Sequence, residues 1–187
     1  MKNRKLVGFV GSSNRPSRSR ALVELVADYA AVQYDLAATV YDINDVGASL
    51  GNARQWADLD PQAQEVLRQI TEADVLVVGT PTYKGSFTGI FKHAIDLIEP
   101  TALAGVPVLL TATGGGDRHA LVVEHQLRPL FGFFQAHTLP TAIYAANRDF
   151  VDYRLINEAV RHRAQQAVRE LAPLIGTSIT SPAIAAE

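Results

Sequence analysis

The run VLVVG, Val75–Gly79, is apolar at every position. A strand with one face in water alternates apolar and polar side chains. A strand covered on both faces does not, and such strands belong to parallel sheets with helices packed on each side. The flanks agree with that reading. Upstream, Pro61 opens a helical stretch carrying Val66, Leu67 and Ile70. Downstream, the loop PTYKGSF leads into a second helical pattern with Phe91, Ile95 and Ile98.

The same alternation runs outward in both directions. Leu6–Val10 is a short apolar run closed by Gly11 and Ser12, and Leu22, Leu25, Val26 and Tyr29 then recur at three- and four-residue spacings. Leu36–Asp42 reads as a second strand, with a polar loop to about Asp60. Val106–Ala112 is a fourth strand, followed by TGGGDRH and a long helix through Phe134. Thr138–Ala145 is a fifth strand, and Arg154–Ile175 a last helix. Five strands alternating with helices predict an open parallel sheet of the α/β class, with helices on both faces. Residues 1–175 are expected to form one domain, and 176–187 a flexible tail.

Composition narrows the function classes. Hydrophobic residues make up 48% of the 187 and charged residues 19%, as in an ordinary globular chain. Seventeen Lys and Arg against nineteen Asp and Glu give a net charge of −2. That near-balance predicts no general attraction to nucleic acid or to an anionic membrane, and it argues against an acidic electron carrier docking by charge. With no cysteine, disulfides, thiolate nucleophiles and Cys-ligated metals are excluded. His119 and His125 have no companion ligands, so no metal site is expected. The apolar run at the N-terminus is too short for a signal-peptide core, and a cytoplasmic location is expected.

Ligands of such sheets bind at the carboxyl ends of the strands, where three loops have unusual compositions. The first, GSSNRPSRSR (Gly11–Arg20), sets four serines and three arginines at the start of a helix. Free backbone N–H groups, hydroxyls and guanidinium groups together suit a dianionic phosphate monoester. Neither GxGxxG nor the P-loop lysine is present, so a terminal phosphate fits better than a bridging pyrophosphate. The plainer alternative is a helix capped by Ser17 among solvated arginines. The second loop, Pro81-Thr82-Tyr83-Lys84-Gly85, offers a fixed turn and an aromatic face with a polar tip, able to border a planar ring. Here Lys84 reads first as a surface charge. In the third, Thr113-Gly114-Gly115-Gly116-Asp117, backbone amides can face a ligand without side-chain obstruction. Such amides would hydrogen-bond the polar edge of a flavin and stabilise negative charge on its reduced form. The three loops together compose a site for FMN.

At these residues the sequence resembles the NAD(P)H-dependent FMN reductases of the flavodoxin-like superfamily, from Lys5 to about Leu174. The stretch TGGGDRHALVVEHQLRPLFGFFQA resembles the sulfonate-utilisation branch in particular, the alkanesulfonate and methanesulfonate FMN reductases. This resemblance implies a flavodoxin-like three-layer sandwich with strand order 2-1-3-4-5. It implies FMN with NADPH or NADH as hydride donor, a homodimer or homotetramer, and delivery of reduced FMN to a separate flavin-dependent monooxygenase. It places Ser12, Ser17, Arg18 and Ser19 at the phosphate, Pro81, Thr82, Tyr83 and Lys84 beside the isoalloxazine, and Thr113, Gly114, Gly115 and Gly116 as the amide loop. Many relatives carry Arg where this chain has Asn14, and Arg15 is then the neighbouring source of that charge. Hydride transfer between nicotinamide and flavin needs no protein acid or base, so no catalytic side chain is expected. The alternatives are a quinone or azo reductase with fixed FMN, and a flavodoxin-like electron carrier.

One irregularity stands out in the helix after the glycine loop. The spacing of six from Leu121 to Leu127 breaks the stripe formed with Leu130, Phe131 and Phe134. One extra residue near Glu124–His125, absorbed as a π-bulge, would explain the break. The resemblance points the same way, because the sulfonate-branch enzymes carry an inserted aromatic or His residue in this helix, near the flavin pocket and the subunit interface.

Overall fold

A computed structural model describes residues 4–176. The expected tail beyond Gly176 lies outside the described residues. Strand β1 (Lys5–Val10) is paired in parallel on one side with β2 (Ala37–Asp42), and on the other with β3 (Val75–Pro81). Strand β4 (Pro107–Gly114) follows β3, giving the path β2-β1-β3-β4. Beyond β4 the predicted fifth strand is present but broken, as β5 (His137–Thr138) and β6 (Ile143–Ala146), each parallel to β4. The expected order 2-1-3-4-5 is therefore the observed one. Between Thr138 and Ile143 the chain takes five steps where β4 takes three, from Val108 to Thr111. Pro140 lies in that detour and has no N–H for the ladder. Thr141 instead bonds Glu170 through its N–H (2.9 Å) and its hydroxyl (2.5 Å).

Strand alternation divides the apolar side chains between two cores. Val7, Phe9, Leu76 and Val78 face one helical layer; Leu6, Val10, Val75 and Val77 face the other. The second layer holds α1 (Arg18–Tyr34), which packs so closely on the sheet that a Cβ at Gly79 would come within 2.3 Å of Val23. The loop after β2, read from sequence as unstructured, contains a turn of helix α2 (Ile43–Val46) and two short 3₁₀ turns. Helix α3 (Pro61–Thr71) begins at Pro61 as expected, with Asp60 accepting the Ala63 N–H at 2.8 Å. Helix α4 (Gly89–Asp96) starts at Thr88, whose hydroxyl accepts the Phe91 N–H and donates to the Gly11 carbonyl at 2.7 Å.

Two helical expectations are corrected. The segment after the glycine loop is not one regular α-helix. It is a 3₁₀ turn (Asp117–His119), a π-helical segment (Val123–Leu127) and α5 (Arg128–Phe133). The predicted π-bulge is there, spanned by Glu124 and Arg128 at 2.5 and 2.8 Å. Leu121, read as part of the apolar stripe, is exposed, while Val122 and Val123 take the buried positions. The last helix starts later than Arg154, because Phe150–Val151 (β7) and Arg154–Leu155 (β8) form an antiparallel hairpin. Helix α6 (Glu158–Arg169) follows from an Asn157 cap, and α7 (Ala172–Ile175) is set apart from it. Pro173 cannot donate back to Arg169, so one continuous helix is not available. Among the described residues no helix is long and apolar enough to cross a membrane.

Candidate functional site

The carboxyl ends of β1, β3 and β4 open onto one cavity of about 480 Å³, within the size range of small-molecule sites. All three loops singled out from sequence contribute to its wall. Ser12, Asn14, Arg15, Ser17, Arg18 and Ser19 come from the first, Pro81, Thr82 and Tyr83 from the second, and Thr113, Gly114 and Gly115 from the third. Lys84 and Gly116 do not line it. Asn147 and Tyr153 do, and neither was indicated by sequence.

In the first loop, Gly11 N–H donates to the Gly79 carbonyl at 2.7 Å, tying the loop to β3. Ser12 is buried and its hydroxyl accepts the Asn14 N–H. Ser17 caps α1, accepting the Arg20 N–H at 3.3 Å, as the plainer reading of this serine expects. The amides of Arg18 and Ser19 lie in the first turn, where no intrahelical acceptor exists. The three arginines divide. Arg15 bonds Asp42 (2.7 and 2.8 Å) and Asp45 (2.7 Å), and Arg20 reaches the same Asp42 at 2.9 Å. Burial pushes the Asp42 carboxyl up, but the hydrogen bonds from Arg15 and Arg20 outweigh it and hold the group below the usual range. Of the three, Arg18 alone makes no side-chain hydrogen bond. Its Nε is buried without a partner, and its guanidinium lies 5.2 Å from the centroid of the Tyr153 ring. Arg15 thus lines the cavity and, through Asp42 and Asp45, also holds the loop against β2 and α2. Asn14 donates to the Tyr83 hydroxyl at 3.3 Å, bridging two loops.

The second loop is pinned by Thr82 N–H to the Thr113 carbonyl (2.7 Å) and closes as a tight turn between Tyr83 and Ser86. Lys84 and Gly85 occupy left-handed conformations at its tip, with φ of 54° and 86°. The turn leaves the Tyr83 ring 53% exposed at the cavity mouth. The Thr82 hydroxyl is buried and, like Arg18 Nε, has no partner. Ser86 donates to Gln126 Oε1 at 3.0 Å, which couples this loop to the π-helical segment. His125 itself is exposed and does not line the cavity.

The third loop is fixed from behind. Tyr144 donates to the Gly116 carbonyl at 2.7 Å, and a Cβ on Gly114 would approach the Tyr144 hydroxyl to 2.3 Å. Gly115 differs, since a Cβ there would meet nothing within 4 Å. Ser19 and Thr113 share a 2.7 Å hydrogen bond that joins the floor of the first and third loops. No cluster of metal-ligating side chains occurs among the described residues.

An unpaired guanidinium nitrogen and free helix amides at one end, with an exposed tyrosine and open glycine amides at the other, fit a phosphorylated planar ligand. On a doubly wound sheet of this order, that arrangement defines a flavodoxin-like mononucleotide-binding protein. Comparison with known proteins is more specific. The model of the NADPH-dependent FMN reductase family matches residues 4–150, and the chain belongs to that family. It is 41% identical over 175 residues to the NADH-dependent FMN reductase SfnF of Pseudomonas fluorescens, covering 94% of each chain. It is 42% identical over 172 residues to an FMN reductase (NADPH) of Pseudomonas aeruginosa, covering 92% of each. Among solved structures, an oxidoreductase from Corynebacterium diphtheriae superposes with a TM-score of 0.81 at 27% identity, over 92% of this chain and 97% of that one. The protein is therefore an oxidoreductase that works with FMN and a reduced nicotinamide nucleotide.

Proposed function

We propose that this protein supplies reduced FMN to a separate flavin-dependent monooxygenase, in the utilisation of sulfonates or related organosulfur compounds. The observation that carries this reading is the π-helical segment Val123–Leu127, whose Gln126 accepts a hydrogen bond from Ser86 of the loop beside the cavity. A π-segment is a local insertion that costs helix regularity and occurs disproportionately at functional sites. Here it loosens the hold on flavin, so that FMN enters as a substrate and leaves once reduced. The 113–136 stretch, which resembles the sulfonate branch, is the same piece of chain.

In this reading Arg18, Ser12, Ser17, Ser19 and the first amides of α1 bind the phosphate. Pro81, Thr82 and Tyr83 border the ring, and the Gly114 and Gly115 amides orient its polar edge. Bound FMN supplies the two-electron acceptor chemistry, and the chain contributes position and electrostatics with no acid–base side chain. Self-association to a homodimer or homotetramer belongs to the same proposal. It is supported by a groove lined by Trp56, Ile95, Leu97, Leu130 and Phe133, in which Phe133 is 66% exposed.

A second reading, an azo reductase retaining its FMN, is favoured by 30% identity over 149 residues to an FMN-dependent NADPH-azoreductase of Staphylococcus haemolyticus. Steady-state oxidation of NADH and of NADPH, each with free FMN, a quinone or an azo dye, separates the two. The relatives differ in their nicotinamide, so the same assay assigns the donor. Turnover that saturates in free FMN supports supply to a partner. Dye or quinone reduction that needs no added FMN supports the second reading. Sedimentation of the same preparation tests self-association.

A further inference from the structure

The β7–β8 hairpin is built on a rigid root. Phe150 and Leu155 are buried, and the Asp149 carboxylate accepts the Ala146 N–H at 2.7 Å and the Asn157 side-chain N–H at 2.6 Å. The Ile156 N–H closes the other side onto the Asp149 carbonyl at 2.8 Å. Its tip is unusual. Asp152 and Tyr153 both have positive φ, 46° and 61°, in a two-residue connection of the kind that normally recruits Asn-Gly or Asp-Gly. A bulky aromatic residue in the left-handed region is an outlier, and such outliers cluster at functional sites. The strained turn carries the Tyr153 ring to the cavity wall, against the Arg18 guanidinium. Arg18 Nε, meanwhile, is the buried donor left without a partner.

We propose that Tyr153 is the positioning residue for phosphate recognition. Its ring braces Arg18 by a cation–π contact, and so keeps at the cavity wall a guanidinium that makes no hydrogen bond within the protein and can meet an anionic group. The brace takes no donor from Arg18, because a π face attracts the cation without accepting a specific N–H. A carboxylate in the same place would occupy the fork and oppose a phosphate by charge, as Asp42 and Asp45 occupy Arg15. Two arginines four or fewer residues from the helix start are thus given different tasks by their partners. This inference rests on the assignment of the first loop to the FMN phosphate.

The test compares FMN with riboflavin, which lacks the phosphate, by flavin-fluorescence titration of the full chain. Tyr153→Asn and Tyr153→Gly remove the ring while placing residues that suit a left-handed turn, so both are expected to fold, as thermal melting checks. Each should weaken FMN binding roughly two- to six-fold, as expected for loss of an exposed cation–π contact, and leave riboflavin unchanged. Tyr153→Phe keeps the π face and should bind both flavins like the parent. In an Arg18→Ala background, Tyr153→Asn should cause no further loss. Parent-like FMN binding in both ring-free variants, or equal losses for FMN and riboflavin, would overturn the role of Tyr153. Arg18→Ala alone separates the two levels. If it shifts FMN but not riboflavin while the Tyr153 variants shift neither, only the brace is wrong. If it shifts both flavins alike, the phosphate assignment itself is wrong.

Discussion

Replacing Arg18 by Ala is the perturbation whose cost is best separated into binding and stability. The side chain makes no hydrogen bond through Nε in the free protein, and its one identified partner is the Tyr153 ring. Its loss should therefore cost the fold no more than about 1 kcal/mol, the size of an exposed cation–π contact. The ligand loses far more. A hydrogen bond to a charged group contributes about 1.5–3 kcal/mol, which corresponds to roughly ten- to hundred-fold in affinity. Arg15→Ala is the matched control, because that guanidinium, although Arg15 also lines the cavity, is held by Asp42 and Asp45. Titration of each variant with FMN and riboflavin, alongside thermal melts, gives the answer. The expected pattern is a large FMN-specific loss in Arg18→Ala, against a lower melting temperature and little change in the FMN-to-riboflavin ratio in Arg15→Ala. The reverse pattern would refute the division of labour between the two arginines.

Asp42→Asn should destabilise the protein by about 1–3 kcal/mol at neutral pH, since it removes the acceptor shared by Arg15 and Arg20. The Asp42 pKa is depressed in the folded state. Its contribution is present above the unfolded value of about 4 and is lost as pH falls through the folded one, so parent and variant stabilities should converge in acid denaturant titrations. Gly115→Val should leave the melting temperature nearly unchanged, because the space beyond Gly115 is open, yet weaken flavin binding several-fold. Gly114→Ala should instead lower the melting temperature, because its Cβ would collide with the Tyr144 hydroxyl. Deleting His125 should restore an α-helical turn and yield a protein that keeps FMN through purification, read from its visible spectrum. A colourless deletion variant that reduces free FMN at the parent rate would show that the bulge sets nothing.

Much of this was legible in sequence where local pattern and tertiary demand coincide. VLVVG announces a strand buried on both faces, and Asp60-Pro61 announces a helix start; both are as expected. The π-segment was legible because one surplus residue leaves a phase error in the apolar spacing, although the stripe itself was misplaced at Leu121. The broken fifth strand was hidden by an apolar run that continues through Pro140 and Ala142 whether or not the ladder does. The hairpin at 150–155 was hidden because Asp152-Tyr153 carries none of the glycine that usually marks such a turn. Composition showed three arginines at the phosphate loop without showing which are spent. That depends on Asp42 and Asp45, contributed by the end of β2 and by α2.

In the proposed function FMN passes through this protein as a substrate. Its most direct test is the purified protein assayed with NADH or NADPH while free FMN is varied, with the flavin content as isolated measured beside it. A substrate flavin gives a nearly colourless preparation whose nicotinamide oxidation saturates in added FMN and whose reduced FMN passes a dialysis membrane to an oxidant on the other side. A yellow preparation with one FMN per chain, turning over an azo dye or quinone at full rate without added FMN, would contradict it.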